Sequence, residues 1–325
     1  MVDRPKVLAG ILYSGEPTLH RAIGALEAQK DIDLRIVLIG GFGQWEAHRR
    51  LYRTFNETGP EVDLFVKVDA DMIILHDRLL ISAHRFLSVE EPVDRLTFGV
   101  HDWLSGQTII GLHCWRSSVQ WTAEPPPLHT DLVENTARAR FVLKDPPEPL
   151  VLHAPDPDEL QAARYGARRA LKALASGGDD WAWHAVERLA AQASVEAHPV
   201  RLIAVAAARF AIIDPTASRG FVMEQLDPER VLDRLRADVA QRSDMPAELL
   251  SLIADPSTLS ATFSSVAHGV PSRGASFGAL VKGLLRRLRG AAGPRLAWRT
   301  DGRRGQPLSS EADLRRRLLD LLGAS

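Results

Sequence analysis

Leu64-Phe65-Val66-Lys67-Val68-Asp69-Ala70-Asp71-Met72 sets the reading of the whole chain. The largely apolar run Leu64 to Val68 predicts a buried β-strand. Two carboxylates two residues apart follow at its carboxyl end, where both can turn toward one cation. Hard oxygen ligands of this kind suit Mg²⁺ or Mn²⁺, and few protein ligands are needed where a diphosphate supplies the others. Two acids in a turn are more often solvated surface, so the weight of the pair depends on what surrounds it.

Upstream, Lys6 to Tyr13 is a β-rich apolar run closed by Ser14-Gly15-Glu16-Pro17, and from Thr18 the residues Leu19, Ile23 and Leu26 fall at helical spacing. Leu34 to Ile39 repeats the strand pattern and stops at Gly40-Gly41-Phe42-Gly43, after which Trp45 to Phe55 reads as a second helix ending near Gly59-Pro60. The strand beginning at Leu64 is the third. Such βαβ alternation predicts an α/β fold, with a mainly parallel sheet flanked by helices and ligands at the carboxyl ends of the strands.

The segments GEPTL-x-RAI-x-AL-x-AQ (15–29) and VDADMI (68–73), in that βαβ setting, resemble the nucleotide-sugar half of GT-A fold glycosyltransferases, particularly the family 2 type. VHDW (100–103), GLHCWRSSVQW (111–121) and HAPDPDELQAARYGARRALKA (153–173) resemble a bacterial family 2-like subgroup. The resemblance covers roughly residues 6 to 175. It implies a GT-A type, Rossmann-like domain and a nucleotide diphosphate-sugar as donor. It also implies residue roles: Asp71 as main metal ligand, Asp69 on the ribose or on the metal through water, and Ser14 and Glu16 at the nucleotide. Lys67, beside the acid pair, joins the candidate nucleotide contacts. Where many such enzymes carry an acidic pair after the second strand, this chain has Gly40-Gly41-Phe42-Gly43, so the base is not implied.

Downstream of the acid pair the candidates are single residues. His153 ends the short apolar run Leu150-Val151-Leu152; it is a third candidate metal ligand, imidazole being acceptable to Mn²⁺, or else a loop histidine. His101, His113 and His129 read as structural, with His101-Asp102 just after the Leu96 to Val100 strand and able to face the cleft. An inverting transfer needs a base for the acceptor hydroxyl, and a carboxylate in a partly desolvated cleft can serve. Asp131 is the first choice and Asp102 the second, with ordinary loop chemistry the alternative for either. Of Trp103, Trp115 and Trp121, one is expected to stack on ligand and the others to serve the core.

Trp121 to Pro157 holds eight of the twenty prolines and reads as mostly irregular backbone. Asp156-Pro157 then reads as the cap and first turn of a helix whose apolar face is Leu160, Ala163, Ala167, Leu171 and Leu174, ending at Ser176-Gly177-Gly178. Arg164, Arg168 and Arg169 on this helix read as a solvated face, one of them able to reach a phosphate. A boundary near Gly178 gives a catalytic domain over 1–177 and a mainly helical region over 178–325. Within the latter, helices are expected from Asp227-Pro228, over Met245 to Ala254, and over Ser310 to Leu322 with a Leu314, Leu318, Leu321 stripe.

Composition narrows the class. The chain has 325 residues, 45% of them apolar, and a net charge of −1, which suits folded domains rather than disorder. The charge is unevenly placed: residues 271–325 hold 12 basic against 4 acidic residues, a net of +8, leaving −9 for the rest. The basic stretch 282–304, with Leu284-Leu285-Arg286-Arg287-Leu288-Arg289, reads as an amphipathic helix packed on its own domain, the alternative being a peripheral contact with an anionic membrane. No nucleic-acid motif accompanies it. The single cysteine, Cys114, excludes a disulfide framework and suits a reducing compartment. Val200 to Ile213, the longest apolar stretch, is too short to span a bilayer, and the strand-like start leaves no secretion signal. A cytoplasmic protein is expected, with a peripheral membrane contact as the alternative.

The expected activity is metal-dependent transfer of a sugar from a nucleotide diphosphate-sugar to a glycan or lipid-linked acceptor, inverting by resemblance. The alternatives are a sugar-nucleotide-forming nucleotidyltransferase, for which the usual basic, glycine-rich phosphate loop is missing, and a non-catalytic glycan- or partner-binding protein.

Overall fold

The computed structural model describes residues 4–125, 133–176, 180–242, 244–254 and 311–323. Asp131, His129, the expected boundary at Gly178 and the basic stretch 282–304 lie outside the described residues. Two units are distinguished: Met1–Trp103 with Gln107–Asp156 and Trp298–Ser325, and Leu104–Gly106 with Pro157–Ala297.

The first unit opens as the sequence alternation requires, with β1 (Lys6–Tyr13), α1 (Leu19–Glu27), β2 (Asp33–Gly40), α2 (Gln44–Thr58) and β3 (Leu64–Asp69). There follow β4 (Met72–Ile74), α3 (Leu79–Val89), β5 (Arg95–Asp102), β6 (Gln107–Arg116), β7 (Arg140–Leu143) and β8 (Val151–His153). The eight strands form one sheet in the order β2-β1-β3-β6-β5-β8-β4, with β7 also paired to β5. β1 lies parallel between β2 and β3, β5 is parallel to β7 and β8, and β6 is antiparallel to both β3 and β5. β4 is antiparallel to β8.

The sheet is therefore mixed, where a mainly parallel one was expected. The reason is the connection between β5 and β6, too short for a crossover and long enough only for a hairpin. Gly106 closes that turn at φ +64, in the left-handed region that glycine enters without steric cost. The proline-rich span from Trp121, expected to be irregular, also contributes β7 and β8, both paired to β5.

Both faces of the sheet are covered, which is why β1 reads as a continuous apolar run. Val7, Ala9 and Ile11 join Val66 and Val68 in one core with Leu80, Ala83 and Phe86 of α3. Leu8 and Leu12 join Phe65 in the other, with Leu51, Tyr52 and Phe55 of α2. The helix α10 (Glu311–Leu322), expected in the second region, belongs to the first unit. Its Leu314, Leu318 and Leu322 enter the α3 core, and the Ser82 hydroxyl donates to the Leu321 carbonyl at 2.8 Å. The stripe thus turns on Leu322 rather than Leu321, which stays 36% exposed.

The described part of the second unit is helical: α4 (Glu159–Ala175), α5 (Asp180–Val195), α6 (Pro199–Ile213), α7 (Pro215–Val222), α8 (Pro228–Gln241) and α9 (Met245–Ala254). The apolar stretch Val200 to Ile213 is α6, buried along most of its length and packed against the other five helices. The two units divide at Asp156/Pro157, and α4 packs on α6. Gly166 makes that packing possible, since a Cβ there would run into the Ala204 carbonyl. The start of α4 moves two residues on. Asp158, not Asp156, is the cap, its side chain accepting from the Gln161 N–H at 2.7 Å. Asp227 caps α8 as expected, with Pro228 in its first turn. Among the described residues no helix is long and apolar enough to cross a membrane.

Candidate active site

The site is built where β1 and β3 end side by side. Leu12 stands opposite Asp69, and the Ala70 N–H donates to the Leu12 carbonyl at 2.9 Å. The Thr18 hydroxyl, at the start of α1, donates to the Ala70 carbonyl at 3.2 Å. The Asp69-Ala70-Asp71 turn is thus tied on one side to the first βα connection. In that connection the Ser14 N–H and hydroxyl both donate to the Glu16 carboxylate, at 2.7 and 2.6 Å. Arg21 of α1 pairs with Asp156.

On the other side the turn is tied to β8. Met72 stands opposite His153, and the Ala154 N–H donates to the Asp71 carbonyl at 2.9 Å. β8 is paired on its far edge with β5, where Asp102 stands opposite His153 and the Trp103 N–H donates to the His153 carbonyl at 3.1 Å. Ala154 turns the chain away from the sheet at φ +46, a left-handed conformation that costs a residue with a Cβ about 1 kcal/mol or more.

These pairings place three side chains in a row. His153 Nδ1 lies 2.7 Å from Asp102 Oδ1, and its Nε2 lies 3.4 Å from Asp71 Oδ2. All three side chains are buried, Asp102 completely. Burial works against a charged ring, but the Asp71 carboxylate, the hydrogen bond to Asp102 and the charges of Asp102 and Asp69 outweigh it and push His153 up to about 9. Asp69 is more open and turns to Lys67, whose ammonium lies 3.0 Å from Oδ1 and 3.2 Å from Oδ2.

The donor set can be tested against a divalent cation. Among the described residues no three His, Cys, Asp or Glu side chains are grouped to hold a metal ion, so a closed protein cage is excluded there. A pair is different. Two ligands at right angles on a cation at ~2.1 Å stand about 3.0 Å apart, and Asp71 and His153 are near that separation with one hard and one borderline donor. The pair fits a cation that takes its other ligands from water or phosphate.

Of the residues singled out in the sequence, Asp69, Asp71, Lys67, His153, Asp102, Ser14 and Glu16 are brought to this end of the sheet. Asp102, the second choice of base, is wholly buried against His153. Lys67 is 2% exposed and meets Asp69. Trp115 and Trp121 are core, with Trp121 stacked on Tyr52 at 5.2 Å; Trp103, half-buried beside Asp102, is the one left near the site. His113 is structural, within 3.1 Å of an Arg95 guanidinium nitrogen and 3.2 Å of the Thr97 hydroxyl. Arg164 pairs with Glu224 at 3.4 Å and the Arg169 guanidinium lies over the Tyr165 ring. Arg21 and Thr18 were not anticipated; their one signal was position at the first βα turn.

Fold and site together define an α/β protein with a carboxylate–imidazole–carboxylate row at the carboxyl end of its sheet. No protein-family model and no curated protein matches the chain. Among solved structures it is similar to the mannosyltransferase PcManGT from Pyrobaculum calidifontis in complex with GDP-Man and Mn²⁺, at 13% identity and a TM-score of 0.35. That alignment covers 82% of this chain and 87% of the other. So distant a likeness assigns this chain neither donor nor reaction.

Proposed function

We propose that the chain is a metal-dependent glycosyltransferase of GT-A type, family 2-like, moving a sugar from a nucleotide diphosphate-sugar to a glycan or lipid-linked acceptor. The observation that carries this reading is the pair Asp71 and His153, side by side at the strand end where the sequence carries the Asp-Ala-Asp motif. In this reading they hold Mn²⁺ or Mg²⁺, and the diphosphate completes the shell. When bound, the cation supplies positive charge against the negative charge that develops on the departing diphosphate.

The remaining roles belong to the chain itself. Asp69, braced by Lys67, is the contact to the ribose or to the cation through a water. Ser14 and Glu16 line the nucleotide from the first βα turn, and Trp103 offers a ring face to the sugar. Asp131 is the base for the acceptor hydroxyl, and its place in the chain, just after the prolines Pro125-Pro126-Pro127, supports an acceptor-side loop. Inversion at the transferred carbon follows from the family resemblance.

Hydrolysis of nucleotide-sugars in the presence of Mn²⁺ tests the assignment. Asp71→Ala is expected to remove the metal-dependent rate by at least a hundredfold while the chain stays folded. Unchanged turnover in that variant would exclude the metal role of Asp71.

A further inference from the structure

Asp102 poses a problem that the proposed function leaves open. Its carboxylate is completely buried at the end of β5, where an ion without a partner would cost several kcal/mol. Its Oδ1 meets His153 Nδ1 at 2.7 Å, and the backbone on both sides fixes that meeting. Asp102 stands opposite His153 in the β5–β8 pairing, Met72 stands opposite it in the β4–β8 pairing, and the Trp103 and Ala154 N–H groups anchor the neighbouring carbonyls. The imidazole therefore sits between two carboxylates, Asp102 at the end of β5 and Asp71 in the turn between β3 and β4.

A neutral imidazole has one N–H and one lone pair, and the hydrogen bond at one nitrogen decides what the other offers. Donation from Nδ1 to Asp102 leaves the lone pair on Nε2, the nitrogen turned to Asp71. We propose that Asp102 is a positioning residue: it holds the Nδ1–H of His153 and so presents Nε2, beside Asp71, as a ligand for a divalent cation. In this role Asp102 touches neither cation nor substrate and reaches the cation through His153. The inference rests on the metal reading above.

Two other roles for Asp102 fit less well. A base must reach the acceptor, which complete burial prevents. A purely structural ion pair would hold the fold without affecting how His153 meets a metal.

Mn²⁺ titration of the full chain, followed by electron paramagnetic resonance, separates these possibilities. Asp102→Asn keeps the shape but replaces a group that can only accept with an amide that can also donate, and an Asn in the same relation to a catalytic histidine favours the wrong tautomer. Loss of such an outer partner typically weakens metal affinity by about 10–100-fold, and that is the loss expected in Asp102→Asn. His153→Ala should weaken binding at least as much, and the double variant should be no weaker than His153→Ala alone. The spin-echo modulation from a coordinated imidazole nitrogen should be present in the wild type, absent in His153→Ala and diminished in Asp102→Asn. Independently of any variant, the ¹⁵N spectrum of the wild type loaded with diamagnetic Cd²⁺ should place the remaining His153 proton on Nδ1.

Asp102→Asn binding Mn²⁺ within twofold of wild type would overturn the positioning role, as would further weakening in the double variant or a Cd²⁺-form proton on Nε2. A wild type that binds no Mn²⁺ would overturn the metal reading and this inference with it.

Discussion

Asp94, just ahead of β5, remains an ion while nearly buried because arginines surround it. Arg138 donates to it from its backbone N–H and from Nε and Nη2, all at 2.8 Å, and Arg116 Nε lies at 3.3 Å. Burial alone would raise this carboxyl, but the Arg138 hydrogen bonds and the charges of Arg138 and Arg116 prevail and hold it below the usual carboxylate range. A depressed pKa in the folded state adds stability that is present above the unfolded value and lost as pH falls through the folded one. Urea unfolding at a series of pH values should therefore show stability declining below about pH 4, with a shallower decline in Asp94→Asn; equal slopes would remove Asp94 as a contributor. The same logic of buried charge separates the site's acids from surface acids, and it was only partly legible. Asp69-Ala70-Asp71 is visible as a motif because both acids lie in one local segment. The link from Asp71 through His153 to Asp102 is made by strand pairing between segments up to 82 positions apart, and nothing local to any of the three announces it.

Elements built from local periodicity were legible, and those that depend on long-range pairing were not. β1, α1, β2, α2 and β3 follow the sequence pattern, because each carries its own apolar spacing and its own Gly or Pro stop. β8 is three residues long and exists because β4 and β5 bracket it; a run so short has no period to read. α10 was legible as a helix but not as part of the first unit, since its stripe does not reveal which core will take it. Leu318 is fully buried in that core. Leu318→Ala is expected to cost about 2–5 kcal/mol, read as a lower urea midpoint. A loss below ~0.5 kcal/mol would mean that α10 is not held where it lies against α3. In the second unit, Gly166→Leu should destabilise by about 1–3 kcal/mol or more, because the added side chain meets the Ala204 backbone at the α4–α6 crossing. Wild-type stability in that variant would show that the two helices do not approach so closely.

At the scale of the whole molecule the near-zero net charge is a sum of unlike parts, with an excess of nine acidic charges in residues 1–270. Two of these acids, Asp71 and Asp102, are buried on either side of one histidine, so the local field at the strand ends is set to favour a cation. Binding to the folded state alone stabilises by mass action, about 2.7 kcal/mol at a ligand concentration 100 times the Kd. For a folded unit of 150–250 residues that is a rise in Tm of roughly 5–10 °C. Thermal unfolding across a panel of nucleotide diphosphate-sugars, each with and without Mn²⁺, should therefore give one donor whose shift depends on the metal. The full shift should vanish in Asp71→Ala, because the diphosphate is then left without its cation. A donor that shifts Tm equally with and without Mn²⁺ would place nucleotide recognition on side chains alone, with Ser14, Glu16 and Asp69 the first to examine. A panel with no shift at all, under conditions where Mn²⁺ itself binds, would instead favour a protein that keeps the cation site without using nucleotide-sugars.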